Sequence, residues 1–157
     1  MMPHVHLLLG LSCANILAIF DVEPLFLSLF ILGSIIPDID FIFSRFSKNK
    51  NHRKLLTHFP SIYLIGSIIS FFVCTFTFWV FLGCFLHTLT DILDFEIYPF
   101  APICAKSYSV IGINYETITS QVSFFQFLKA YYKNKKVIAF ELVSVLFLVL
   151  STILLKT

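Results

Sequence analysis

A chain of 157 residues, 58% hydrophobic and 13% charged, with 20 phenylalanines and a mean hydropathy of +0.90, lies well outside the range of a soluble domain. The formal net charge of +2 is too small for a nucleic-acid-binding surface, and the basic residues sit in two clusters beside apolar runs. The expected class is therefore all-α, an integral membrane helix bundle forming one domain over 1–157, with the lipid bilayer as partner and no nucleic acid.

The first apolar run, about 5–20, follows MMPHVH, which holds no lysine or arginine, and leads to no small-residue cleavage site, so it is expected to remain in the protein. Asp21, Glu23 and Pro24 predict a tight polar turn into a second run at 24–36. That run is short for a span and reads as the return half of a helical hairpin. Pro37 disfavours helix at Ile36 and so ends it, placing Asp38 and Asp40 of PDID directly afterwards. His52 and His58 precede the third helix, with Thr57 as a candidate N-cap and Pro60 tolerated in the first turn. The stretch 59–93 exceeds the roughly 20 residues of a single span. It is expected to fold back near Cys74 to Thr77, giving five membrane helices. The segment 121–136, QVSFFQFLKAYYKNKK, suits an amphipathic helix in the interface, or else a cytoplasmic extension of the last helix at 137–155. Cys13, Cys74, Cys84 and Cys104 show no CxxC spacing and read as reduced.

Positive residues set the expected orientation. Arg45, Lys48, Lys50, Arg53 and Lys54 fall between helices two and three, and Lys106, Lys129, Lys133, Lys135 and Lys136 between helices four and five, while the 21–23 and 74–77 turns have none. By the positive-inside rule the protein is a multi-pass protein of the cytoplasmic (inner) membrane with its N-terminus in the cytoplasm.

That topology predicts that every histidine, and every aspartate except Asp21, falls on one membrane face. In HTLTDILD, at about 100° per residue, His87, Asp91 and Asp94 share one side of an α-helix. Neutral imidazoles and carboxylates are ligands for Zn²⁺, and carboxylates also suit Mn²⁺ or Mg²⁺. His6, Asp38, Asp40, His52, His58, His87 and Asp91 are therefore candidate ligands for one or two divalent ions, Zn²⁺ before Mn²⁺ or Mg²⁺. A bound cation would offset the cost of carboxylates near hydrocarbon, at least about 2.5–3.5 kcal/mol for an isolated charge. Taken alone, Asp38 and Asp40 also read as a capping turn, His4 as an interfacial residue and Arg53 as a snorkelling side chain.

As an ordered set, VHLLLG with His6, PDID with Asp38 and Asp40, HRKLLTH with His52, Arg53 and His58, and GCFLHTLTDILDFEIYPFAP with His87 and Asp91 resemble the predicted membrane-bound metal-dependent hydrolases of the YdjM type, over about residues 1–120. Phe41 stands where a histidine often follows PDID, and HRKLLTH carries one residue more than the usual spacing. The HxxxD element is also remotely similar to that of zinc-dependent phospholipase C. The resemblance implies hydrolysis by a metal-activated water, with a phosphoester or phospholipid substrate at the cytoplasmic face. Asp94 is the candidate general base, and Arg53 the candidate partner of a phosphate oxygen. The alternative is a non-catalytic metal-binding membrane protein for transport, sensing or structure. Helices three and five show only apolar residues and hydroxyls at mid-depth, apart from Glu141 near one end, which disfavours a conduction path.

Overall fold

Proline opens three helices, a position where its missing N–H costs nothing because first-turn donors have no intrahelical acceptor. These are α1 (Pro3–Ile19), α2 (Pro24–Gly33) and α3 (Pro60–Val73). The computed structural model describes residues 2–40, 53, 55–104, 106–112 and 124–157. Within them α4 (Thr75–Thr90), α5 (Phe124–Tyr132) and α6 (Lys135–Lys156) complete an all-helical protein. Among the described residues no strand forms, and Ile97 and Tyr108 make an isolated bridge. His52, Arg45, Lys48, Lys50 and Lys54 lie outside the described residues.

The helix ends follow from local chemistry. Asp21 adopts φ 59°, a left-handed conformation that a short polar side chain tolerates, so the turn predicted before Pro24 is present. The second helix ends at Gly33, earlier than the expected Ile36. Pro37 has no N–H to donate to the Gly33 carbonyl, and the chain tightens instead into a 3₁₀ turn over 36–40, with Asp38 N–H bonding Ile35 O at 3.1 Å. The reversal expected near Cys74 to Thr77 occurs at Cys74 itself, whose extended backbone separates α3 from α4. Tyr63 then meets Phe81 and Phe71 meets Phe78 across a tight hairpin. Thr57 does not cap α3; its hydroxyl bonds Asp40, and Phe59 occupies the cap position with no side-chain bond. The chain also breaks between α5 and α6, where the Asn134 side chain accepts the Lys136 N–H at 3.0 Å. This rules out a continuous extension of the last helix and leaves a separate amphipathic helix, with Tyr131 buried and Phe125 outside.

The bundle is inverted relative to a soluble protein. Large apolar side chains face outwards, Phe72 being 82% exposed, while hydroxyls line the inside, Ser67 being 4% exposed. Lipid is as apolar as leucine, so small residues that permit close packing and polar residues that bond between helices hold such bundles together. Asn15 of α1 donates to Ser151 Oγ at 3.3 Å and Thr152 Oγ1 at 3.0 Å of α6. Helices α1 and α6 run parallel, α4 packs on α2 and α3, and α1 also packs on α2. Thr75–Leu93 and Lys135–Lys156 are long and apolar enough to cross a membrane, whereas Pro3–Ile19 and Pro60–Val73 are apolar but shorter.

At the α2–α4 crossing, backbone meets backbone. A Cβ on Gly83 would strike the Phe30 carbonyl oxygen, and one on Gly33 the Val80 carbonyl oxygen. The contact brings the Ser34 carbonyl against His87. Gly83→Ala is therefore expected to destabilise the protein by roughly 1–3 kcal/mol through overpacking, read as a lower thermal unfolding midpoint.

Candidate metal centre

Four segments meet at one end of the bundle: the start of α1 with His6, the 3₁₀ turn after α2 with Asp38 and Asp40, the 3₁₀ turn Leu56–His58 before α3, and the end of α4 with His87 and Asp91. Three of the histidines, His6, His58 and His87, are oriented through Nδ1. His87 Nδ1–H donates to the Ser34 carbonyl oxygen at 2.8 Å. His58 Nδ1–H donates to Asp40 Oδ2 at 2.8 Å. His6 Nδ1 lies 3.1 Å from Thr90 Oγ1, whose only hydrogen goes to the His87 carbonyl at 2.8 Å, so the ring must be the donor there too. With Nδ1 engaged in all three rings, Nε2 is the nitrogen that each ring turns towards the carboxylates.

Those nitrogens converge on carboxylate oxygens. His6 Nε2 is 3.2 Å from Asp91 Oδ1, His58 Nε2 is 3.4 Å from Asp91 Oδ2, and His87 Nε2 is 3.6 Å from both Asp91 Oδ2 and Asp38 Oδ1. Where a ring carries its proton on Nδ1, its Nε2 and the facing carboxylate are both acceptors in a site where Asp91 is 0% exposed, and a proton or a metal cation between them relieves the conflict. Tetrahedral ligands held about 2.0–2.2 Å from a zinc are themselves about 3.3–3.6 Å apart, which is the spacing found. Two overlapping sets, His6–His87–Asp91 and Asp38–His58–His87, each keep their ligand atoms within 4.8 Å of one another. Among the described residues, His87 Nε2, Asp38 Oδ2 and Asp40 Oδ1 are buried with no hydrogen-bond partner. The residues present therefore fit a divalent cation. Burial opposes charge on His58, yet hydrogen bonds to Asp40 and Asp91 outweigh it and raise its pKa above the usual value, so a proton on Nε2 would compete with a metal ion there. Burial pushes the Asp38 carboxyl up as well.

Asp94 stands apart from these groups. The expected shared face assumed that α-helix continues through residue 94, but the helix ends at Thr90 and residues Asp91–Leu93 form a 3₁₀ turn. In that geometry Asp94 eclipses Asp91, so it keeps the shared side but lies about 6 Å further along the axis. Its Oδ1 accepts the Phe95 N–H at 2.8 Å and its Oδ2 the Tyr131 hydroxyl at 2.9 Å. Arg53 bridges the two carboxylates, with Nη2 3.3 Å from Asp91 Oδ1 and Nη1 3.7 Å from Asp94 Oδ1. His4 points elsewhere, pairing with Glu141 at 3.6 Å.

Asp40 touches His58 through Nδ1, the position from which a carboxylate fixes the tautomer and raises the basicity of a metal-binding imidazole. Asp40→Ala is expected to weaken zinc binding about 10- to 100-fold, measured by chelator competition, with wild-type affinity counting against this role. Sequence reasoning missed three of the supporting groups. The Ser34 carbonyl carries no side-chain signal, and Tyr131 lies too far along the chain to suggest a contact. Thr90 was legible, lying three residues after His87 and next to Asp91.

No curated protein and no solved structure matches the chain, so the likeness to zinc-dependent phospholipase C rests on the HxxxD spacing alone. The ordered segments that carry His6, the PDID aspartates, His58 and the HTLTD helix end come together at one centre, and a family model extends the match from these motifs to residues 1–157: the chain belongs to the YdjM inner membrane protein family.

Proposed function

We propose that this inner membrane protein is a metal-dependent hydrolase acting on a phosphoester, of which a phospholipid is the favoured form, at the cytoplasmic face. The observation that carries the reading is the convergence of three Nε2 atoms on the oxygens of Asp91 and Asp38 at ligand-to-ligand spacing. His58, His87, Asp38 and Asp91 would hold one ion, with His6 beside it on the other oxygen of Asp91. A single imidazole nitrogen binds a single metal, so the two sets that share His87 describe one primary ion. His52 remains a candidate ligand. Zn²⁺ suits the mixed nitrogen and oxygen donors, with Mn²⁺ or Mg²⁺ as alternatives.

A divalent cation there supplies Lewis acidity, lowering the pKa of water towards neutrality and stabilising negative charge that develops on the substrate. The chain's own residues do the rest. Asp38 Oδ2, which has no partner among the described residues, is placed to accept a proton from the attacking water. Asp94, with both oxygens engaged, serves to hold Arg53, and Arg53 in turn compensates Asp91. Lys129, Lys133, Lys135 and Lys136 belong to α5, α6 and their junction, the same end of the bundle as the centre, since Tyr131 reaches Asp94. That basic end supports a multi-pass topology with a cytoplasmic N-terminus, and it attracts anionic headgroups.

The burial of His6, His58, His87 and Asp91, each at 1% exposure or less, supports a second reading, a closed structural metal site without catalysis. Metal analysis of the purified protein, followed by incubation with phosphatidylglycerol and with bis(p-nitrophenyl) phosphate, with and without chelator, separates the two. The hydrolase reading expects stoichiometric metal and chelator-sensitive phosphoester cleavage. Bound metal with no cleavage of either substrate supports the structural reading.

A further inference from the structure

A stack of planar groups runs from the metal centre to the amphipathic helix α5. The Arg53 guanidinium carbon lies 4.1 Å over the Phe95 ring. The Phe95 ring stacks on Tyr131 at 5.7 Å between centroids and 18° between planes, and Tyr131 stacks on Phe127 at 5.9 Å and 21°. Arg53, Phe95, Tyr131 and Asp94 are all at most 2% exposed. The polar edges are joined as well as the faces, because the Tyr131 hydroxyl donates to the carboxylate of Asp94 that faces Arg53. A cation held over an aromatic face and braced by a carboxylate loses the rotamer freedom that a long arginine side chain otherwise keeps.

The consequence falls on Asp91. Its Oδ1 faces Arg53 and His6, which leaves Oδ2 turned towards His58 and His87. We propose that Phe95 and Tyr131 are positioning residues of the metal centre: they fix Arg53 against Asp91 and so set which carboxylate oxygen is presented to the ion. The inference rests on the reading of this centre as a metal site and extends it to a helix that contributes no ligand of its own. It also accounts for an aspartate–phenylalanine pair, Asp94–Phe95, directly after the ligand-bearing end of α4.

The test uses the full chain in detergent, with Zn²⁺ affinity measured by chelator competition and the visible spectrum of the Co²⁺-loaded protein as a report on ligand geometry. Tyr131→Phe keeps the ring and removes the hydroxyl, Phe95→Leu removes the stacking face, and Phe95→Trp restores it. The expected result is about a tenfold loss of Zn²⁺ affinity with an altered Co²⁺ spectrum for Tyr131→Phe and Phe95→Leu, and near wild-type behaviour for Phe95→Trp. Wild-type affinity and spectrum in both Tyr131→Phe and Phe95→Leu, alongside loss of binding in His87→Ala, would overturn the inference and leave the metal site standing. Absence of Zn²⁺ and Co²⁺ binding by the unsubstituted protein would overturn both.

Discussion

His87→Ala is expected to lower zinc affinity by more than about 100-fold, beyond the upper end of what loss of an outer hydrogen-bond partner costs, and, on the proposed function, to abolish phosphoester cleavage with it. His87 is the one residue shared by both ligand sets. Its ring is immobilised from three sides: the Ser34 carbonyl takes Nδ1–H at 2.8 Å, the His6 ring stacks on it at 3.6 Å, and the His58 ring meets it edge-on at 5.6 Å. Alanine therefore removes a preorganised donor. Chelator competition on the purified variant measures the loss, and circular dichroism checks that the helices persist. Zinc affinity within tenfold of wild type in a folded His87→Ala protein would mean that the converging nitrogens are not ligands.

How much of this was legible in the sequence depends on what kind of signal each group leaves. Ionisable residues inside an apolar chain are conspicuous because each costs free energy, and a topology drawn from lysine and arginine alone placed His6, Asp38, His58, His87 and Asp91 at one level, where the structure brings them together. Periodicity paired His87 with Asp91 correctly. It also put Asp94 on the Asp91 side, where Arg53 bridges the two carboxylates, although the chain passes into a 3₁₀ turn at Asp91–Leu93 and the Asp94 oxygens go to the Phe95 N–H and the Tyr131 hydroxyl. Pro24 and Pro60 marked the starts of α2 and α3, since proline's chemistry is local, yet Pro37 acted on a carbonyl four residues earlier and ended α2 sooner than its effect on Ile36 alone suggests. The break at Cys74 has no glycine or proline to announce it and was inferred from span length. Backbone acceptors such as the Ser34 carbonyl leave no trace in any sequence, although the glycines that bring it into place, Gly33 and Gly83, do.

Removing Asp91 should damage the protein even without metal. Its carboxylate is 0% exposed and lies 3.3 Å from Arg53, 3.2 Å from His6, 3.4 Å from His58 and 3.6 Å from His87. In Asp91→Ala the Arg53 guanidinium stays buried with only Asp94, at 3.7 Å, as a described carboxylate partner, and the imidazoles lose the acceptor that a proton on His58 uses. Breaking a buried ion pair by deleting one partner typically costs about 3–5 kcal/mol, because the remaining charge is left in a medium that solvates it poorly. Stability of that order should be lost by Asp91→Ala in chelator-treated protein. Asp91→Asn keeps the volume and one acceptor and should lose less, although both variants lose metal binding. Asp40→Ala provides the contrast, since its removal weakens the ion's grip while leaving the Arg53–Asp91 pair intact. Denaturant unfolding of the metal-free proteins in detergent reads the difference directly. An Asp91→Ala protein as stable as wild type without metal would show that this carboxylate is not the electrostatic hub of the bundle end, whatever it ligates when metal is present.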